Sequence, residues 1–253
     1  MHTFRIQGNR WNAEPSYPNS GFRDVQGFAI SEHFEMLFQL PPGDRDAATP
    51  FADFLYAPST STMGLIKGSW GVMRSYKDKQ KGLAQLPNNR LGNKKNQTSG
   101  FYKPPANAKI RKFAITAKMD GKTLLYEVNG KSVPTLVLRA NAGDWIEITV
   151  DNQIPQPLPA SFMSSSENPS VNYSSDAAKP YLTSSQAGLH PMLLSYDSAK
   201  SSGMNVGMNK PQTVPSGGKP RTSTWYAGAI EFKNGKRKLT PIEFGGVNLW
   251  PSD

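Results

Sequence analysis

Three histidines, no cysteine and a small group of aspartates are what this 253-residue chain offers to metal or nucleophilic chemistry. The absence of cysteine excludes disulfides, thiolate metal ligands and cysteine nucleophiles, and it leaves the redox compartment open. His33 has no partner at a useful spacing, and strand alternation turns it toward solvent. Asp44, Asp46 and Asp53 suggest a cation site, but their spacing fits a calcium loop poorly and reads more simply as a solvated loop. Ser195 lacks a G-x-S-x-G frame. Gly217-Gly218 and Gly245-Gly246 lack the strand-to-helix setting and the Lys-Ser/Thr of phosphate loops, so they read as turns. Trp70, Trp145, Trp225 and Trp250 are candidates for an electron relay, for which buried sandwich aromatics are the plainer reading.

The elements that would position these side chains read as strands. With 22 Gly and 21 Pro the chain is dense in turns and suits short strands better than long helices. His33–Leu40 places Phe34, Met36, Phe38 and Leu40 on one side of an expected strand, which Pro41-Pro42-Gly43-Asp44 stops. Phe113–Met119 alternates, and Asp120-Gly121 turns the chain. Trp145–Asp151 buries Ile146, Ile148 and Val150 and faces Glu147, Thr149 and Asp151 outward. Such strands close on each other as an all-β sandwich. The Ser-rich stretch from Ser161 to Ser185 reads as a long surface loop.

The net charge of +10 is unevenly placed. Residues 1–76 carry six Lys/Arg against seven Asp/Glu, and residues 113–253 carry thirteen against eleven. Residues 77–112 carry ten against Asp78 alone, and this segment has no apolar period, so it reads as an exposed basic linker between two units, with Leu83, Leu86 and Phe101 as local anchors. No run of 18 apolar residues is present, so no membrane-spanning helix is expected, and the opening residues lack the basic-then-apolar pattern of a signal peptide.

Val128-Asn129-Gly130-Lys131, Pro134, Leu136–Asp144 and Asn152 resemble the opening of a multicopper oxidase cupredoxin domain. Asn129-Gly130 makes a tight turn there, Gly143-Asp144 reverses the chain, and Asn152 ties off a strand end through its side chain. Leu189–Asp197, Asn205–Asn209, Thr213–Gly218 and Trp225-Tyr226-Ala227 follow in the family's order. His2–Trp11 is similar to the strand in which active oxidases carry H-x-x-H-x-H-G-H, and Gly68–Arg74 to the strand in which they carry H-C-H. The resemblance, closest to large multi-domain bacterial multicopper oxidases including manganese-oxidising ones, implies a Greek-key fold. Residues 1–76 would be the C-terminal part of one cupredoxin-like domain, and residues 113–253 the N-terminal and central part of the next, without its final strand.

The same resemblance implies copper sites whose ligands are mostly gone. Blue copper needs two imidazoles and a thiolate, and the oxygen-reducing cluster needs about eight imidazoles. His2 occupies a blue-copper position, but Arg5 and Gln7 replace two cluster histidines and Asn9 departs from the next. In the later strand His190 keeps one place of an H-x-H pair and Met192 takes the other. His2 and His190 are therefore only weak metal candidates, and no catalytic or cofactor-binding residue is expected. The expected function is a copper-free scaffold or subunit beside copper-bearing domains or chains that complete both sandwiches. An exported adhesive or polyanion-binding surface protein using residues 77–112 is one alternative. An oxidase subunit sharing a copper cluster with another chain is a second. The family implies an extracellular or periplasmic location. Limited trypsin treatment is expected to cut first within residues 77–112, as mass spectrometry of the earliest fragments would show; first cleavage between Val137 and Val150 would move the boundary.

Overall fold

The chain, seen in a computed structural model, is described for residues 2–17, 19–38, 40, 50–58, 68–78, 80–84, 101–121, 123–133, 135–156, 185–233, 236–242 and 246–250. Among these residues it is all-β, without a helix. The first unit is a four-stranded antiparallel sheet. Its strands are β1 (His2–Ile6), β4 (Val25–Phe28), β5 (Phe51–Ala57) and β6 (Gly71–Tyr76), in the order β4-β1-β5-β6. The small ribbon of β2 (Trp11–Asn12) and β3 (Phe22–Arg23) stands beside it. Ile6, Ala52 and Phe54 form its core together with Ala199, which arrives from the far end of the chain.

The second unit is a six-stranded sheet in which β7 (Ile110–Asp120) and β10 (Trp145–Asn152) run parallel through the middle. β8 (Thr123–Val128) and β9 (Lys131–Val133) extend one side; β13 (Arg221–Tyr226) and β12 (Ser195–Tyr196) extend the other. β11 (Gly188–Met192) pairs with β16 (Gly246–Trp250), and β14 (Gly228–Lys233) with β15 (Lys236–Pro241). Leu189 of β11 joins the core of Ile115, Ile148 and Trp225, so β11 lies against the large sheet as a second layer, the arrangement of a β-sandwich.

The period-two pattern on β7 and β10 places Ile115, Ala117, Ile148 and Val150 inward. Trp145 is buried as well, stacked at a tilt on Tyr226 with ring centroids 5.0 Å apart. At the turn between β8 and β9, Asn129 and Gly130 have φ of 50° and 77°, a left-handed pair that only such residues adopt at little cost. Asn152 closes β10 from within: its amide donates to Ser185 O and Val214 O, both at 2.7 Å, while its carbonyl accepts from Ile154 N.

Four expectations are corrected. His33–Phe38 forms no strand; Phe34 is 45% exposed, although Phe38 and Leu40 still pack against the first core. The alternation in that stretch selected a face without providing a ladder partner. Asp53 is not in a solvated loop but lies in β5 with no exposed surface, while Asp44 and Asp46 fall outside the described residues. Trp70 is 49% exposed rather than buried; Trp145 and Trp225 are core residues. The basic segment is not wholly a linker: Phe101 and Tyr102 are buried, Arg237 donates to the carbonyls of Phe101 and Lys103, and β7 begins at Ile110. Large aromatic side chains gained a hydrophobic site that the surrounding charge pattern concealed. Ser185 is buried, and residues 161–184 of the expected surface loop lie outside the described set.

Ile148 has no exposed surface at the centre of the second core, so Ile148→Ala is expected to destabilise the chain by about 2–5 kcal/mol. Urea unfolding should show this as a lower midpoint at an unchanged slope.

Candidate functional site

Of the residues singled out for chemistry, His190, Ser195 and Asp53 lie where the first unit packs on β11, β12 and the irregular segment after them. His190, on β11, is 1% exposed. Its Nδ1 lies 2.9 Å from Ser202 O, and its Nε2 lies 2.7 Å from an Arg5 guanidinium nitrogen on β1. A guanidinium has no acceptor, so Arg5 donates to Nε2, and the ring proton must sit on Nδ1 and be donated to Ser202. Both ring nitrogens are thus committed to protein partners. Burial, and then the Arg5 charge, push His190 from 6.5 down to about 3, against the opposing pull of the Ser202 bond. The imidazole stays neutral. Tyr196 stands edge-on to it with centroids 5.8 Å apart.

Two further clamps run across the same seam. Arg10 donates to Leu193 O at 3.1 Å, to Ser195 Oγ at 2.5 Å and to Gly228 O at 3.1 Å, while Asp24 accepts from Leu193 N at 3.0 Å. The two bonds to its backbone hold Leu193 at a left-handed φ of 59°, and the two to Ser195 and Gly228 anchor the start of β12 beside it. Ser195 Oγ also donates to Gly228 O and accepts from Ile230 N, a fully bonded structural hydroxyl rather than a free nucleophile.

The second clamp is built on Asp53. Arg74 binds its carboxylate bidentately at 2.7 and 2.8 Å, and Met208 N donates to Oδ2 at 2.7 Å. Asn209 pairs with the Asp53 backbone in both directions, each at 2.9 Å. The Arg74 guanidinium lies over the Phe51 ring, 4.2 Å from its centroid. Gly207 is required here: its φ is 53°, and a Cβ would fall 2.2 Å from Asp53 Oδ2. The Asn205–Asn209 motif thus serves as the receptor for a buried carboxylate of the first unit.

Of the metal candidates, His2 opens β1 opposite Phe28, and His190 takes the buried place just described. Their strands are different, and among the described residues no group of three or more His, Asp or Glu converges as a metal would need. Copper, which the family resemblance implies, does not fit the His190 environment: the lone pair it would use already accepts from a cation. His33 is exposed. Sequence reasoning noticed Arg5 as a replaced ligand but gave no role to Arg10, Asp24 or Arg74. The signal for Arg74 is a lone arginine in an apolar strand, facing Asp53 in the antiparallel register.

No family model matches the chain, and no curated protein matches it. No helix among the described residues is long and apolar enough to cross a membrane.

The His190 environment sets a pH dependence. Its folded-state pKa lies below the unfolded one, so between about 3 and 6.5 the unfolded chain binds the extra proton and stability falls as pH falls. The expected loss is about 1.4 kcal/mol per pH unit below the upper bound. Urea midpoints at pH 7 and pH 5 check this, and His190→Gln should flatten the difference.

Proposed function

We propose that this chain is a copper-free, non-catalytic part of a multicopper-oxidase-like protein, whose cupredoxin-like units act as scaffold or subunit beside copper-bearing ones. One observation carries the reading: the imidazole best placed to bind copper, His190, has both nitrogens bonded within the protein, one of them to the guanidinium of Arg5. A cation at that distance opposes metal entry, and imidazole ligation needs the lone pair that Arg5 engages. The order of the motifs along both units supports the family assignment, and the layered, all-β arrangement agrees with its fold class. Copper then belongs to the partner domains or chains, and the work of this chain is geometric. It presents a β framework against which copper-bearing cupredoxin domains are held. An extracellular or periplasmic location goes with that assignment.

Metal analysis and visible spectroscopy test the proposal. The purified chain is expected to hold no stoichiometric copper after dialysis against Cu(I) or Cu(II) and to show no band near 600 nm, roughly where copper–thiolate sites absorb. Its complex with copper-bearing partner domains should show both. Tight copper binding by the chain alone would sink the scaffold reading in favour of an oxidase subunit.

A further inference from the structure

His190 is held in the pose of a metal-binding imidazole. Histidines that bind metals commonly donate their other ring N–H to a backbone carbonyl, which fixes the tautomer and aims the remaining lone pair. Here Nδ1–H is donated to Ser202 O at 2.9 Å, and the Nε2 lone pair points from β11 across the seam to β1. The ring is further fixed edge-on by Tyr196. What it meets is a guanidinium nitrogen of Arg5 at 2.7 Å.

The surroundings of Arg5 are unusual for an arginine at a buried junction. The ion pairs among the described residues engage Arg74, Arg111, Lys112 and Lys118, and none engages Arg5. Its charge acts on Tyr196 as well as on His190. On the residues that follow β1 and on the facing segment, Gln7 Nε2 and Ser198 Oγ are buried without a hydrogen-bond partner. A guanidinium that forms no ion pair among the described residues and donates to a neutral imidazole lone pair puts a positive charge where a bound metal ion would stand, with the Asp24 carboxylate acting on the same Tyr196.

We infer that Arg5 is a built-in cation: its guanidinium bridges β1 and β11 in the place of a metal ion and withholds His190 from metal. This rests on the copper-free reading and narrows it to one side chain. The charge is delivered by the polypeptide itself, so the cross-link does not depend on metal supply, and the bond from a charged donor is stronger than a neutral one. Removing the guanidinium while leaving an imidazole opposite His190 should convert the cross-link into a two-histidine metal site.

The experiment uses the full chain as wild type, Arg5→His and Arg5→Lys, each with and without His190→Ala, titrated calorimetrically with Cu(II) and with Zn(II). Wild type and Arg5→Lys are expected to show no uptake that depends on His190. Arg5→His is expected to take up one metal ion at least about tenfold more tightly than wild type, a gain lost with His190→Ala. Should Arg5→His not fold, long-range proton–nitrogen correlation of wild-type His190 still decides: the inference requires the Nδ1–H tautomer and a ring signal unmoved by Zn(II). An Nε2–H tautomer, metal uptake through His190 in wild type or Arg5→Lys, or a folded Arg5→His without the gain overturns it. Copper bound tightly at a place independent of His190 would instead remove the scaffold reading and leave the role of Arg5 standing.

Discussion

The bond between Arg5 and His190 joins residues 185 positions apart, and the first sheet depends on contacts of this kind to stay in place. Its own core is small, centred on Ile6, Ala52 and Phe54, and one wall of that core is Ala199 from the second unit. A four-stranded sheet with so little buried apolar area gains modest stability alone. Polar clamps at Arg5, Arg10, Asp24 and Asp53 fasten it to a partner with a much larger core.

Buried charge makes this seam specific as well as cohesive. Asp53 has no exposed surface, so its carboxylate is tolerable only while Arg74 and Met208 N are both in position. Sliding the two units by one residue would take Met208 N and Asn209 away from Asp53, leave the Arg10 guanidinium without its carbonyl partners and separate His190 Nε2 from Arg5, while Arg74 of the same sheet stays on the Asp53 carboxylate. The cost of an unpaired buried charge far exceeds that of a displaced methyl group. Apolar contacts bring the units together; the polar contacts select one register.

The segment between β12 and β13 does without regular structure because side chains satisfy its backbone. Gln212 accepts from Ser202 N and donates to Ser198 O, while Asn205 accepts from Gln212 N. Trp225 Nε1 donates to Ser201 O at 2.7 Å. These bonds let an irregular chain lie buried against a sheet, which otherwise leaves backbone groups unsatisfied. They also hold Ser202 O where His190 needs it, so the pose of the imidazole is set by residues well away from it in sequence.

Local chemistry was legible in the sequence. The inward faces of β7 and β10, the left-handed turn at Asn129-Gly130 and the strand-closing role of Asn152 all follow from neighbours a few residues apart. The lack of thiolate chemistry follows from composition alone. The meaning of Asp53, Arg5 and Phe101 was not legible in this way. Asp53 looked like a loop residue because its partners Arg74 and Met208 lie 21 and 155 positions away. Phe101 was read as a local anchor of an exposed linker, and the bond that its carbonyl accepts from Arg237 of β15, 136 positions away, accompanies its burial. A strand pattern states which face a side chain occupies, but not what stands opposite; for a charged or aromatic residue, the group opposite decides between a solvated surface and a buried clamp. Only the packing of the two sheets supplied that group.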